Sequence, residues 1–147
     1  MPFQGQWADS LLALERAFLL RVVIWGGISI LIGTALVTWL SVKNLESALV
    51  RGFARHSIAW GGLAVVAAAL SSRGLALRDL AGATALDRRV WFGIGLSLGC
   101  AAAGALLARV AFGFGGRFEL VGAGLAMGVQ GSALGLLALQ FAMALVR

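Results

Sequence analysis

All 12 basic and 6 acidic side chains of this chain fall outside four apolar stretches, Val22–Val42, Ser57–Ser72, Val90–Ala108 and Leu120–Val146. A charge at the centre of a bilayer costs at least about 2.5–3.5 kcal/mol, so long charge-free stretches predict membrane-spanning helices. The first stretch has 21 residues. As a helix it would rise about 31 Å, enough to cross a hydrocarbon core of about 30 Å. Ser57–Ser72 has only 16 residues, a shortfall that snorkelling by Arg55 and Arg73 would cover.

Hydrophobic residues make up 61% of the chain, against roughly 45–50% in soluble domains. Four spans and their connections absorb most of the 147 residues, so no separate catalytic domain is expected within them. The expected fold is therefore all-α: one integral membrane domain over 1–147, with transmembrane helices at about 22–42, 55–72, 90–108 and 120–146. Short interfacial helices are expected at about 10–21 and 45–55, the alternative for the first being a span that begins early. Asp9 or Ser10 would cap the first of these and Asn44 the second, while Glu15 suits the positive end of a helix dipole. The apolar run after Arg21 is longer than the 7–15 residues typical of a signal peptide, so a retained first helix is expected.

The net charge of +6 invites a polyanionic partner. Basic residues cluster at span ends, as Arg21, Lys43, Arg55, Arg73, Arg89, Arg109, Arg117 and Arg147 do, and form no continuous patch. That placement favours anionic lipid headgroups and disfavours nucleic acid. Four spans put both termini and the middle loop on one face, which carries seven basic residues against five on the other. The positive-inside rule then predicts cytoplasmic termini. Trp25 and Trp91 would mark one interface, and Trp39 and Trp60 the other. A composition rich in Ala, Gly and Arg fits a GC-rich bacterial genome, hence a bacterial inner membrane.

Small residues form stripes. In the fourth span Gly124, Gly128, Gly131, Gly135, Ala138 and Ala142 follow at spacings 4, 3, 4, 3, 4. The third has Gly93, Ser97, Cys100 and Gly104, with Gly95 and Gly99 as a second small face; the second has Ser57, Gly61, Ala64, Ala68 and Ser71. Such stripes let backbones approach closely, and van der Waals contact then replaces the hydrophobic drive that lipid removes. A 3.5-residue repeat predicts a compact, left-handed bundle. Two small faces on the third span predict more than one neighbour for it. The glycines could also line a pore or hinge.

Gln130 is the strongest polar group near a span centre. Its amide needs a partner, which Ser29, Thr34 or Thr38 would supply as helix glue; the competing reading is a contact for a solute or ion. His56, one turn from Trp60, sits at the mouth of the second span, where headgroup contact competes with haem or proton chemistry. Cys100 reads as a small packing residue, and Asp87 with Arg88 and Arg89 as a fence at the end of the third span. No metal-ligand cluster, paired carboxylates or nucleophile with a base is apparent, so neither an enzyme nor a cofactor is expected.

Trp25-x3-Ser29-x3-Gly33, Phe53-x2-His56-x3-Trp60, Leu86-Asp87 and Gly122-x-Gly124-x5-Gln130-Gly131, with Leu134 and Leu137, span most of the chain. Together they resemble an uncharacterised group of small bacterial four-helix membrane proteins. That group carries Asn, Asp and Tyr inside its helices, where this chain has Ser29, Gly93, Ser97, Cys100 and Ala138. The resemblance implies a topology and no activity. The expected role is a non-enzymatic structural or accessory component of a membrane assembly, alone, as a homo-oligomer or with a larger partner. The alternative is a small permease or channel with a charge-free path near Gln130.

Overall fold

The computed structural model describes residues 3–146. They form four helices: α1 (Phe3–Val42), α2 (Ala48–Ser72), α3 (Leu80–Gly113) and α4 (Phe118–Leu145). Each is long and apolar enough to cross a membrane.

The helices are longer than the charge-free stretches inside them. Of the two readings of segment 10–21, an early start of the first helix is the one formed: the segment is part of the 40-residue α1 and not a separate interfacial helix. No glycine or proline interrupts it, and its leucines, alanines, Glu15 and arginines are good helix formers. Ser10 is therefore not a cap. Its hydroxyl donates back to the Trp7 carbonyl at 2.8 Å from within the helix. Segment 45–55 is likewise no independent helix: from Ala48 onward it is the first part of the 25-residue α2. That length removes the shortfall of the second apolar stretch.

Asn44, expected to start a helix, ends one. It has a positive φ of 49°; the Leu45 N–H donates to the Leu40 carbonyl at 3.0 Å and the Asn44 N–H to that of Ser41 at 3.3 Å. These are the two bonds of a Schellman stop, and asparagine tolerates its left-handed position. Ser47 caps α2 instead, accepting from the Val50 N–H at 3.4 Å. Asp79 caps α3, accepting from the Gly82 N–H at 2.8 Å. Between α3 and α4 the chain turns through Gly115 and Gly116, with φ of 80° and 67°, values that glycine reaches without strain.

Contacts along the helices fix the topology. Gly26 of α1 faces Gly61 of α2 while Gly33 faces Ala54, so the two run antiparallel. Gly122 of α4 faces Leu49 and Phe53 of α2, and Leu134 and Leu137 pack with Ala64 and Ala68 farther on, so α2 and α4 run parallel. Gly104 of α3 faces Gly124 and Gly128, while Ser97 and Ala101 face Gly131, another antiparallel pair. The result is an up-down-up-down bundle with α4 between α2 and α3.

Small residues set these approaches. A Cβ added to Gly124 would lie 2.6 Å from the Ala108 nitrogen, and one on Gly131 would lie 2.6 Å from the Ala101 nitrogen and the Ser97 carbonyl oxygen. Gly135 is looser, at 3.4 Å from the Ser97 Cβ, and Gly128 looser still, at 3.9 Å from the Ala101 oxygen. Gly95 and Gly99 differ from all of these: a Cβ on either meets nothing within 4 Å. The backbone of α3 approaches α4 alone among the described residues, because α4 separates α3 from α2; beyond that, Leu11 of α1 shares one buried side-chain cluster with Leu86, Val90 and Ile94, and the second small face of α3 meets no helix backbone.

Candidate functional site

A stripe on α1 made of Leu11, Glu15, Val22, Gly26 and Ser29 is buried. It carries two polar side chains into the bundle, and each meets a partner from another element.

The deeper one is Ser29. Gln130, 3% exposed, reaches across from α4. Its Nε2 donates to the Ser29 Oγ at 2.9 Å, while its Oε1 accepts from the Trp25 Nε1–H at 2.7 Å. Ser29 in turn donates to the Trp25 carbonyl at 2.9 Å, one helical turn back. The three groups close a ring in which each bond polarises the next. Among the described residues no buried side-chain nitrogen or oxygen lacks a partner. The ring contains no titratable group, and the Ser29 proton is committed to a carbonyl. It joins helices and has no means to activate a nucleophile.

Ser29 and Gln130 are thus brought together, while Thr34 and Thr38 are not: both lie on the exposed side of α1. Trp25, grouped with the interfacial tryptophans, turns its N–H inward, whereas Trp39 and Trp91 remain exposed. Its role was hard to read because an indole suits an interface as well as a buried acceptor.

The second polar group on the stripe is Glu15. It is 7% exposed and holds Arg78, from the connection between α2 and α3, in a two-point grip. Arg78 Nη2 donates to Oε1 at 2.6 Å and Nε to Oε2 at 3.0 Å. Bonding to Glu15 raises the Arg78 pKa above its ordinary value, against the opposing effect of burial. Glu15 lies well past the first turn of α1, so its partner is a side chain and not a helix end. The signal was present: Glu15 shares the 4, 3, 4 spacing of Leu11, Phe18 and Val22. Phe18 of that row stacks on Phe141 of α4, with centroids 4.8 Å apart.

His56 is exposed, and its Nδ1 bonds the Gly52 carbonyl at 2.9 Å. Against a carbonyl that nitrogen must donate. Trp60, one turn on, is half-buried. Cys100 is half-buried with a free thiol. Among the described residues no group of three or more His, Cys, Asp or Glu side chains is placed to hold a metal ion. The exposed pair Arg55–Glu119, at 3.2 Å, ties α2 to α4 at the opposite end from Arg78.

Fold and geometry define a class: an all-α, four-helix protein whose helices are all capable of spanning a membrane. Comparison with known proteins finds no matching family, no matching curated protein and no matching solved structure.

Proposed function

We propose that the chain is a non-enzymatic, multi-pass protein of the bacterial inner membrane, with cytoplasmic termini. In this reading it is a structural or accessory component of a membrane assembly. Its helices cross left-handedly, as the 3.5-residue stripe on α4 favours. The observation that carries the reading is the closed ring of Trp25, Ser29 and Gln130. A permeation path would need polar groups free to replace a solute's water, and the strongest one in the interior is already spent on its neighbours. What the bundle offers instead is surface: Phe92, Leu96 and Leu98 of α3 point outward beside the open Gly95 and Gly99. That flank faces lipid, a second copy or a larger partner.

Proteoliposomes containing the parent or Gln130→Leu test this reading. Equal solute and ion leakage for the two, at the level of protein-free vesicles, is expected. A specific flux in the parent that disappears in Gln130→Leu would overturn it in favour of a small permease.

A further inference from the structure

The separation of α2 from α3 leaves a space. At the end of the bundle that holds Arg78, a crevice of about 460 Å³ lies between them. That is within the range of small-molecule sites, about 300–1,000 Å³. Leu70 of α2 and Gly93 of α3 line its sides, and Ala138 and Phe141 of α4 line its back. The same crevice includes the Glu15–Arg78 pair and Arg89.

Charge decides what suits it. Glu15 and Arg78 neutralise one another, whereas Arg89 is exposed and, among the described residues, has no ion-pair partner. Arg78 spends its Nε and one Nη2 proton on Glu15, which leaves further N–H donors on its guanidinium. Apart from Ser71, the side walls and back of the crevice are therefore apolar, and Arg89 gives it one uncompensated positive charge. Water has partners at Ser71, Glu15, Arg78 and Arg89 but needs two to four at once, and the Leu70, Val90, Ala138 and Phe141 surfaces supply none, so it fills only part of the space well. A small hydrophilic anion would use Arg89 and leave the walls unmatched. An amphiphile with an anionic head matches both.

We propose that this crevice binds one acyl chain of an anionic membrane phospholipid. The chain lies against Gly93, Ala138 and Phe141, and the phosphate pairs with Arg89 and the free N–H groups of Arg78. The inference rests on the membrane reading above and goes beyond general attraction of span-end arginines to headgroups, because it specifies one site with a tail pocket.

Two substitutions separate tail from head. A Cβ at Gly93 meets nothing within 4 Å, so Gly93→Leu fits the fold and fills the crevice. Arg89→Gln keeps the space and removes the charge. Gly95→Leu, on the same helix with an equally open Cβ, is the control. Each variant is reconstituted in mixed phosphatidylglycerol and phosphatidylcholine bilayers, released in mild detergent and assayed for retained lipid by native mass spectrometry. The parent and Gly95→Leu are expected to retain phosphatidylglycerol in preference. Gly93→Leu should lose about tenfold in retention of either lipid, the consequence of excluding two or so methylenes. Arg89→Gln should keep the lipid but lose about fivefold of its preference for the anionic one, the worth of one arginine at an anionic surface.

Retention in Gly93→Leu equal to the parent, or an unchanged preference in Arg89→Gln, would overturn the proposal. Arg89→Gln stands alone as the test if Gly93→Leu does not fold. An alkaline carbonate wash of cell membranes distinguishes the two levels of failure. Release of the chain into the soluble fraction overturns the membrane reading itself, whereas a chain that stays in the membrane without lipid preference overturns only the crevice.

Discussion

Gly131→Ala and Gly95→Ala make the same chemical change in mid-helix, yet the packing requires them to differ. At Gly131 the new methyl would stand 2.6 Å from the Ala101 nitrogen and the Ser97 carbonyl oxygen, both main-chain atoms that no rotamer change can move aside. Carbon contacts are comfortable at about 3.5–4.0 Å, so α3 and α4 must part locally by about 1 Å. A gap of that size forfeits a quarter to a half of the dispersion energy of the contacts it opens. Overpacking of this kind costs about 1–3 kcal/mol. At Gly95 the methyl meets nothing within 4 Å, and only the helix-propensity gain of about 1 kcal/mol remains. Because both positions receive that gain, their difference isolates the packing cost. Reversible unfolding in dilute mild detergent, titrated with SDS, should place Gly131→Ala about 1–3 kcal/mol below Gly95→Ala. Equal stabilities, or the reverse order, would refute the assignment of α4 as the only close backbone neighbour of α3 among the described residues.

The Trp25–Gln130–Ser29 ring predicts coupling. Interhelical bonds of this type average about 0.6 kcal/mol, so Gln130→Leu, which removes two, should cost about 1 kcal/mol in the same titration. Ser29→Ala should cost at least as much as one bond in the parent and clearly less once Gln130→Leu is present, where only its bond to the Trp25 carbonyl remains to be lost; additive losses would contradict the ring. The Glu15–Arg78 pair, with side chains only 10% and 16% exposed, should behave as a buried pair. Glu15→Ala or Arg78→Ala alone leaves a charge without its partner and should cost about 3 kcal/mol, while Glu15→Leu with Arg78→Leu should recover most of that. A double variant as unstable as the singles would argue against the pair. The raised Arg78 pKa keeps its part of this stability complete below the ordinary arginine value, so the stability gap between the parent and Arg78→Ala should not shrink with rising pH in the alkaline range where proteins are handled.

Charge placement made the helices legible and left their ends obscure. Helix starts depend on which of several capping side chains finds a free N–H group: Ser10, Asn44 and Ser47 are all competent, and only Ser47 caps. The Gln130–Ser29 contact was readable because strong polar groups in the apolar stretches are so few. Thr34 and Thr38 competed for it because sequence fixes the faces of α1 but not which face turns toward α4. Gly95 and Gly99 were indistinguishable from Gly124 and Gly131 for the same reason. Small residues permit a close neighbour; helix order decides whether one arrives. In α4 both permissions are used: Gly122 receives α2 on one side, while Gly124 and Gly131 receive α3 on the other. A helix with two small faces can occupy the middle of a bundle, and α4 does. That position keeps α2 and α3 apart, which opens the crevice beside Arg89 and leaves the second small face of α3 outermost. The crevice and the open flank thus follow from one packing choice. Substitutions that widen the α3–α4 contact, Gly131→Ala foremost, should impair lipid retention at the crevice as well as packing, whereas Gly95→Ala should leave retention unchanged and keep its helix-propensity gain.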